Sequence, residues 1–143
     1  MGRSTAVLIS LAAALVGVGI STYLTIEHYD TKLVLACPES ATINCAKVTT
    51  SRWSHFGPVP LAVLGLVYFA TMTLLCCPPG WQIRALDRLR VAAAGVGTLT
   101  ALYLIWIELF RVNAICLWCT GAHLCALALL AAILWRTSEI TQP

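Results

Sequence analysis

Seven cysteines are the residues of this 143-residue chain whose type and spacing indicate chemistry. Cys116 and Cys119 form a Cys-Leu-Trp-Cys motif at the start of an apolar stretch. Residues three apart share one face of a helix and the positive end of a helix stabilises a thiolate, so this spacing suits a disulfide that opens and closes. Cys37 and Cys45 form a second pair in a polar stretch. Two pairs, one facing water and one at the edge of hydrocarbon, predict an electron relay by thiol–disulfide exchange.

These four cysteines have other conceivable uses. Together they could bind zinc, since thiolates suit a soft metal, but an oxidising compartment and a membrane edge argue against a metal site. Both pairs could instead be structural disulfides. A c-type haem site is excluded because Thr120, rather than histidine, follows Cys119. The remaining cysteines are expected to be inert small apolar side chains; they are Cys76, Cys77 and Cys125.

The composition indicates a membrane protein. Apolar residues make up 59% of the chain and charged residues 10%, with a mean hydropathy of +0.85. A soluble domain carries about 25% charged residues, so this chain has too few polar residues to cover a water-facing surface. That excludes an ordinary soluble enzyme and a disordered tail. The net charge of +3 is too small and too scattered for a nucleic-acid-binding face, so no nucleic-acid partner is expected.

Four apolar stretches are long enough to cross hydrocarbon about 30 Å thick, which needs about 20 helical residues. They predict one all-α domain over residues 1–143, a four-helix transmembrane bundle with a water-exposed loop over residues 27–58. The predicted spans are residues 6–26, 59–77, 91–110 and 114–135. Within the loop, Thr42 is predicted to cap a short helix that carries Cys45. The first span could be a signal peptide, but its length and the lack of a clear cleavage site favour a retained helix.

The distribution of basic residues predicts the orientation of the spans. With four spans both termini lie on one side, and the short segments of that side carry Arg3, Arg84, Arg88, Arg90 and Arg136. The opposite side has fewer basic residues, spread over the long loop and a short turn. This bias favours cytoplasmic termini in a plasma or inner membrane. The first and third loops, with both cysteine pairs, then face an oxidising compartment.

Ionisable residues within or beside the spans are further candidates. His123 is one helical turn deeper than Cys119 on the same face. It could hydrogen-bond a quinone carbonyl or move protons, or it could be satisfied by a neighbouring helix. Glu108 could accept a proton, but the interpretation as an interfacial residue is favoured. His28 and His55 are interpreted as solvated loop residues.

Longer motifs resemble a known family. The loop reads Cys37-Pro-Glu-Ser-Ala-Thr-Ile-Asn-Cys45, and Ser51-Arg-Trp53 follows shortly after. Phe56-Gly-Pro-Val-Pro-Leu-Ala-Val-Leu-Gly65 leads into the second span, and the Cys-Leu-Trp-Cys motif opens the fourth. Over residues 6–135 this combined pattern resembles the vitamin K epoxide reductase family, in particular its bacterial-type homologues without a fused thioredoxin domain.

The resemblance implies a fold and a role for each cysteine. The family is a four-helix bundle around a quinone, capped by the cysteine loop. Cys37 would exchange with a thioredoxin-like partner. Cys45 would pass electrons to Cys116, and Cys119 would lie beside the quinone ring. Ser51 matches a Ser/Thr position of the family's loop.

Two positions depart from the animal members of the family. Animal enzymes carry an asparagine near the start of the second helix and a tyrosine after the Cys-x-x-Cys motif, and both hydrogen-bond the quinone. Leu61 and His123 occupy those positions here. The candidate quinone contacts are therefore Leu61, His123 and Ser51, and the departures weaken the case for an epoxide substrate.

The function implied by the resemblance is that of a membrane thiol–disulfide oxidoreductase. It would reduce ubiquinone, menaquinone or phylloquinone and support disulfide formation outside the cytoplasm. Its electrons would come from a thioredoxin-like, DsbA-type protein in trans, since the chain stops at Pro143 without such a domain. One alternative is a vitamin K epoxide or quinone reductase of the animal type. An alternative of another class is a non-catalytic membrane scaffold with a disulfide-stapled loop.

Overall fold

Helices account for most of the chain. The computed structural model describes residues 2–141. Its α-helices are α1 (Arg3–Tyr29), α2 (Cys45–Thr49), α3 (Leu61–Cys76), α4 (Arg84–Ile107) and α5 (Leu117–Thr141). Shorter helical turns are the 3₁₀ turns Arg52–Ser54 and Pro78–Gln82 and the π turn Glu108–Val112. The expected all-α class is therefore confirmed at the level of a mostly helical protein.

The length and apolar character of the helices are those of a membrane protein. Three helical segments within the described residues are long and apolar enough to cross a membrane, namely Arg3–Tyr29, Arg84–Val112 and Leu117–Ile140. Helix α3 is also apolar but has 16 residues, fewer than a span usually needs. Helix α4 begins well before residue 91, because its charged first turn is stabilised by an Asp87–Arg90 ion pair of 2.6 Å.

The four long helices form a ring. Helix α1 contacts α3 and α5, and α4 completes the ring by contacting α5 extensively and α3 less so. Glycines allow the closest approaches: a Cβ on Gly17 would overlap the ring of Phe69, and a Cβ on Gly97 would overlap the hydroxyl of Tyr68. The two ends of the ring are distinct. We call the end where α1 finishes and α5 begins the loop end, and the opposite end the arginine end.

The segment between α1 and α3 folds over the loop end. Its short helix α2 begins at Cys45, and the cap is Asn44, whose side chain accepts a hydrogen bond from the backbone N–H of Lys47 at 2.9 Å. The prediction of Thr42 as the cap is wrong because the helix begins only at Cys45: Thr42 lies in a bend, and Ile43 forms a backbone bridge to Ile115.

A small hairpin leads from the loop into α3. Strand β1 (His55–Phe56) pairs antiparallel with β2 (Val59–Pro60), with His55 opposite Pro60. Gly57 has φ of +62°, which suits the first central position of a type II′ turn. The hairpin therefore returns the chain to the bundle at the first residue of α3.

Candidate functional site

The four cysteines singled out by their spacing meet at the loop end. They belong to one cluster, whose buried members are Leu24, Leu35, Cys45 and Cys116, with Cys37 and Cys119 packed against them. Cys37 and Cys45 form a disulfide with a Cα–Cα distance of 6.2 Å. Cys116 and Cys119 are free thiols. The structure thus brings one oxidised pair and one reduced pair together.

A backbone bridge places the two pairs side by side. The backbone N–H of Asn44 donates to the carbonyl oxygen of Ile115 at 3.0 Å, and the N–H of Ile115 donates to the carbonyl oxygen of Thr42 at 2.9 Å. Cys45 directly follows Asn44, and Cys116 directly follows Ile115. Both of these cysteines are buried, with exposed fractions of 2% and 0%. The bridge therefore brings together the two chain segments that carry Cys45 and Cys116.

Two aromatic residues position the other loop cysteine. The indole N–H of Trp118 donates to the carbonyl oxygen of Ala36 at 3.0 Å, and the hydroxyl of Tyr23 accepts from the N–H of Ala36 at 3.1 Å. The rings of Tyr23 and Trp118 pack edge to face, 4.7 Å between centroids. Cys37 follows Ala36, so a residue inside the Cys-Leu-Trp-Cys motif fixes the approach of the loop to that motif.

The Cys116 thiol lies just before the first residue of α5, where backbone N–H groups are free. The N–H of Cys119 donates to the Cys116 sulfur at 3.2 Å. The hydrogen bond from the Cys119 thiol, supported by these N–H groups, lowers the pKa of Cys116 against the opposing effect of burial. Cys116 is therefore the cysteine of its pair that carries the thiolate more readily.

Glu108 lies at this site, although the sequence analysis favoured an interfacial residue over a proton acceptor. Its exposed fraction is 6%, and its carboxylate accepts a hydrogen bond from the N–H of Cys116 at 3.3 Å. Glu108 is buried within the protein because the chain turns back directly after α4. The π turn and the left-handed Asn113, with φ of 53°, bring the backbone of Cys116 to the carboxylate. The available sequence signal was a single acidic residue within an apolar stretch.

A largely apolar cavity of about 380 Å³ lies beside the free thiols, between the four long helices and the loop. Every predicted quinone contact lines it together with one cysteine; these residues are Ser51, Leu61, His123 and Cys119. Glu108 and Tyr68 line it as well. The structure therefore gathers the cavity-facing residues that were predicted separately, from three different parts of the chain.

Comparison with known families agrees with this geometry. A family model described as the vitamin K epoxide reductase family matches residues 8–134. The chain belongs to this family. Comparison with curated proteins gives no significant match. Family membership makes the protein a membrane oxidoreductase of the thiol–disulfide and quinone type, and it implies a bilayer, a quinone as electron acceptor and a redox partner.

The cavity fits the quinone that the family uses. Among the described residues, the hydroxyl of Tyr68 and Nδ1 of His123 are buried without a hydrogen-bond partner. An unsatisfied buried polar group costs about 1–3 kcal/mol, so a ligand with carbonyl oxygens in an otherwise apolar cavity would relieve that cost. The hydroxyl of Ser51 donates instead to the carbonyl oxygen of Val48 at 2.8 Å. Leu61, the first residue of α3, offers only apolar contact.

The remaining histidines and cysteines lie around this family site. His28 and His55 pack edge to face, 5.0 Å between centroids, and His28 also lines the cavity. Cys76 is fully buried in the bundle core, and Cys125 packs against that core. Neither of them lines the cavity. Among residues 2–141 no cluster of three or more His, Cys, Asp or Glu side chains is arranged to hold a metal ion.

Proposed function

We propose that this protein oxidises the dithiol of a thioredoxin-like partner outside the cytoplasm and passes the electrons to a membrane quinone. The observation that carries the proposal is the single cluster of four cysteines, in two pairs, beside a cavity with two unsatisfied polar atoms. Ubiquinone, menaquinone and phylloquinone share the two carbonyl oxygens that such a cavity would recognise. The partner acts in trans.

The proposed topology has four spans in a single domain over residues 1–143. Helix α3 crosses with the other three although it is short, because its N-terminus continues into the hairpin and its C-terminus into the turn Pro78–Gln82. The loop end then faces the extracytoplasmic side of a plasma or inner membrane. The arginine end, with both termini, faces the cytoplasm, as its basic residues favour.

Electron entry takes place at the loop disulfide. A thiolate of the partner attacks Cys37, which is less buried than Cys45, and breaks the Cys37–Cys45 bond. The second thiol of the partner then displaces Cys37, so the partner leaves as a disulfide and both loop cysteines are reduced. Two electrons and two protons have moved from the partner to the loop.

Electrons then pass from the loop cysteines to the Cys-Leu-Trp-Cys motif, across the backbone bridge between Ile43 and Ile115. When Cys116 and Cys119 are joined by a disulfide, the Cys45 thiolate attacks the Cys116 sulfur and releases Cys119 as a thiol. Cys37 next attacks Cys45, which restores the loop disulfide and leaves Cys116 and Cys119 reduced. That distribution of oxidised and reduced pairs is the one in the structure.

The last step of the cycle oxidises Cys116 and Cys119 to a disulfide. The quinone supplies an acceptor for two electrons and two protons, and Cys119 is the member of the pair that lines its cavity. As the Cys116–Cys119 bond forms, both thiols lose their protons. The Glu108 carboxylate lies within hydrogen-bonding distance of the Cys116 backbone and lines the same cavity, so we assign it the role of proton acceptor.

Tyr68 and His123 would hold the quinone head group by hydrogen bonds, and Leu61 would supply an apolar contact. Ser51 positions the loop through its bond to Val48. An isoprenoid tail would leave between α3 and α4, where Leu64 and Val96 line the cavity and are themselves 40% and 63% exposed. This is also the side of the ring where neighbouring helices contact each other least.

Replacing Tyr68 with phenylalanine is expected to raise the KM for quinone about fivefold, because one hydrogen bond of about 1 kcal/mol is lost. The turnover number at saturating quinone should stay close to the original value, since the thiols are untouched. Steady-state quinone reduction measures both quantities. Tyr103→Phe is the matched control, since that tyrosine is exposed and does not line the cavity. An unchanged KM for the Tyr68 variant would remove Tyr68 from the head-group site.

The proposed function is tested by mixing the purified protein with a reduced thioredoxin-like protein and a water-soluble short-chain quinone. We expect stoichiometric quinone reduction and partner oxidation. The same preparation with vitamin K epoxide and a small dithiol tests the animal-type activity. No quinone reduction with any thioredoxin-like donor, in a sample whose loop disulfide is intact, would contradict the proposal and favour a non-catalytic scaffold.

A further inference from the structure

A second pocket lies at the arginine end, remote from the cysteines. It has a volume of about 460 Å³ and lies between the start of α1, the turn Pro78–Gln82 and the end of α5. Its polar lining includes Arg3, Ser4 and Arg136, and its apolar lining includes Val7 and Leu8. Nothing in the redox cycle uses these residues.

Trp81 forms one wall of this pocket and packs against Arg90, whose charge is paired with Asp87. The indole N–H of Trp81 donates to the carbonyl oxygen of Cys76 at 2.9 Å. Arg90 is fully buried, pairs with Asp87 at 2.6 Å and donates to the carbonyl oxygen of Gly80 at 3.0 Å. Its guanidinium carbon lies 3.8 Å from the Trp81 ring centroid. The charge of Arg90 is therefore balanced within the protein.

The charge of Arg136 is not balanced in the same way. Its guanidinium carbon lies 4.2 Å from the centroid of the Trp81 ring that Arg90 also contacts. Within residues 2–141 the ion pair of the arginine end is Asp87 with Arg90, and neither Arg136 nor Arg3 has one. Nε of Arg136 is buried and has no acceptor. Glu139, the nearby carboxylate, accepts from the indole N–H of Trp135 at 3.0 Å. The pocket is therefore lined by two cationic side chains, Arg3 and Arg136, and Nε of Arg136 is a donor without an acceptor.

We propose that this pocket binds the phosphate of an anionic lipid headgroup. Guanidinium groups match phosphate oxygens in charge and geometry, and basic pockets at the cytoplasmic ends of membrane helices are suited to anionic headgroups. A lipid is favoured over free phosphate because the pocket continues along α1 onto Val7 and the 65% exposed Leu8. Those side chains would contact the first part of an acyl chain.

The test measures thermal unfolding of the full-length protein in neutral detergent, with added phosphatidylglycerol or with phosphatidylcholine of the same acyl chains. Phosphatidylglycerol should raise Tm and phosphatidylcholine should not. In Arg136→Gln the affinity for phosphatidylglycerol, titrated by the Tm shift, should fall about fivefold. Arg88→Gln is the matched control, because Arg88 is exposed at the same end and does not line the pocket. Its response should equal that of the unmodified protein.

Three outcomes would overturn the proposal. They are the absence of a Tm shift with phosphatidylglycerol, an equal loss of affinity in Arg136→Gln and Arg88→Gln, and an equal shift with inorganic phosphate alone, which would indicate a free anion. Should Arg136→Gln fail to fold, Arg3→Gln provides the second variant, since Arg3 is exposed and lines the pocket. It is expected to show the same loss, and a normal response would refute the site. The readout is independent of quinone reduction.

Discussion

Replacing Cys119 with alanine is expected to lower the rate of quinone reduction at least about a thousandfold, because Cys116 can no longer form a disulfide with residue 119. Cys119 lines the cavity, and it is the cysteine that the proposed cycle releases when Cys45 attacks Cys116. The measurement is the initial rate of quinone reduction with a reduced thioredoxin-like donor at saturating quinone.

Cys125→Ala is the matched control for this variant. Cys125 lies on the same helix and is half-buried, but it packs against the bundle core and does not line the cavity. Its variant should keep nearly the full rate. An equal loss in both variants, or full activity in the Cys119 variant, would contradict the assignment of the Cys-Leu-Trp-Cys motif as the quinone-facing pair.

Replacing Glu108 with glutamine is expected to lower the turnover number about a hundredfold while leaving the KM for quinone nearly unchanged. The amide oxygen of glutamine can still accept the hydrogen bond from the Cys116 N–H, so the turn between α4 and α5 keeps its geometry. What the variant loses is the carboxylate that takes up a thiol proton. Steady-state kinetics over a range of quinone concentrations separates the two constants.

A structural role and a proton-transfer role for Glu108 differ in what restores activity. Glu108→Asp keeps a carboxylate on a shorter side chain and should regain part of the turnover that glutamine loses. Thermal unfolding should show both variants folded. If glutamine supports the original turnover number, or if aspartate is no better than glutamine in a folded protein, the carboxylate is not the proton acceptor.

The cysteine pairs could be predicted from the sequence because their signal is local. A Cys-x-x-Cys spacing and a helix start are both visible in a short window, and the apolar stretches show where the membrane edge falls. The structure brings Cys37, Cys45, Cys116 and Cys119 into one cluster, as the relay requires. The family resemblance rests on the same local motifs and is confirmed over residues 8–134.

The contacts that hold the two pairs together could not be predicted, because they join distant parts of the chain. Ile43 and Ile115 form a bridge that neither sequence window indicates. The same contact includes a hydrogen bond from the N–H of Ile115 to the carbonyl oxygen of Thr42, and the cap of α2 is Asn44. Trp118 lies inside the Cys-Leu-Trp-Cys motif, but the motif does not show that its indole N–H donates to the backbone beside Cys37.

The polar residues of the cavity could likewise be predicted only in part from the sequence. His123 was identified because a histidine in an apolar helix is unusual, but Tyr68 is an ordinary residue of an apolar stretch. Its significance comes from the close approach of Gly97, which places the tyrosine hydroxyl in the cavity without a partner. Glu108 likewise depends on a π turn, which no periodicity in the sequence predicts.

The most direct test of the account is whether Cys45 and Cys116 form a disulfide when their usual partners are absent. In the double variant Cys37→Ser/Cys119→Ser, mild oxidation with diamide should produce an intramolecular Cys45–Cys116 bond, identified by mass spectrometry of proteolytic fragments. Adding Cys45→Ser should abolish it. Free Cys45 and Cys116 after oxidation of a folded sample, or pairing of Cys45 with Cys125 instead, would contradict transfer of electrons from the loop to the quinone-facing pair.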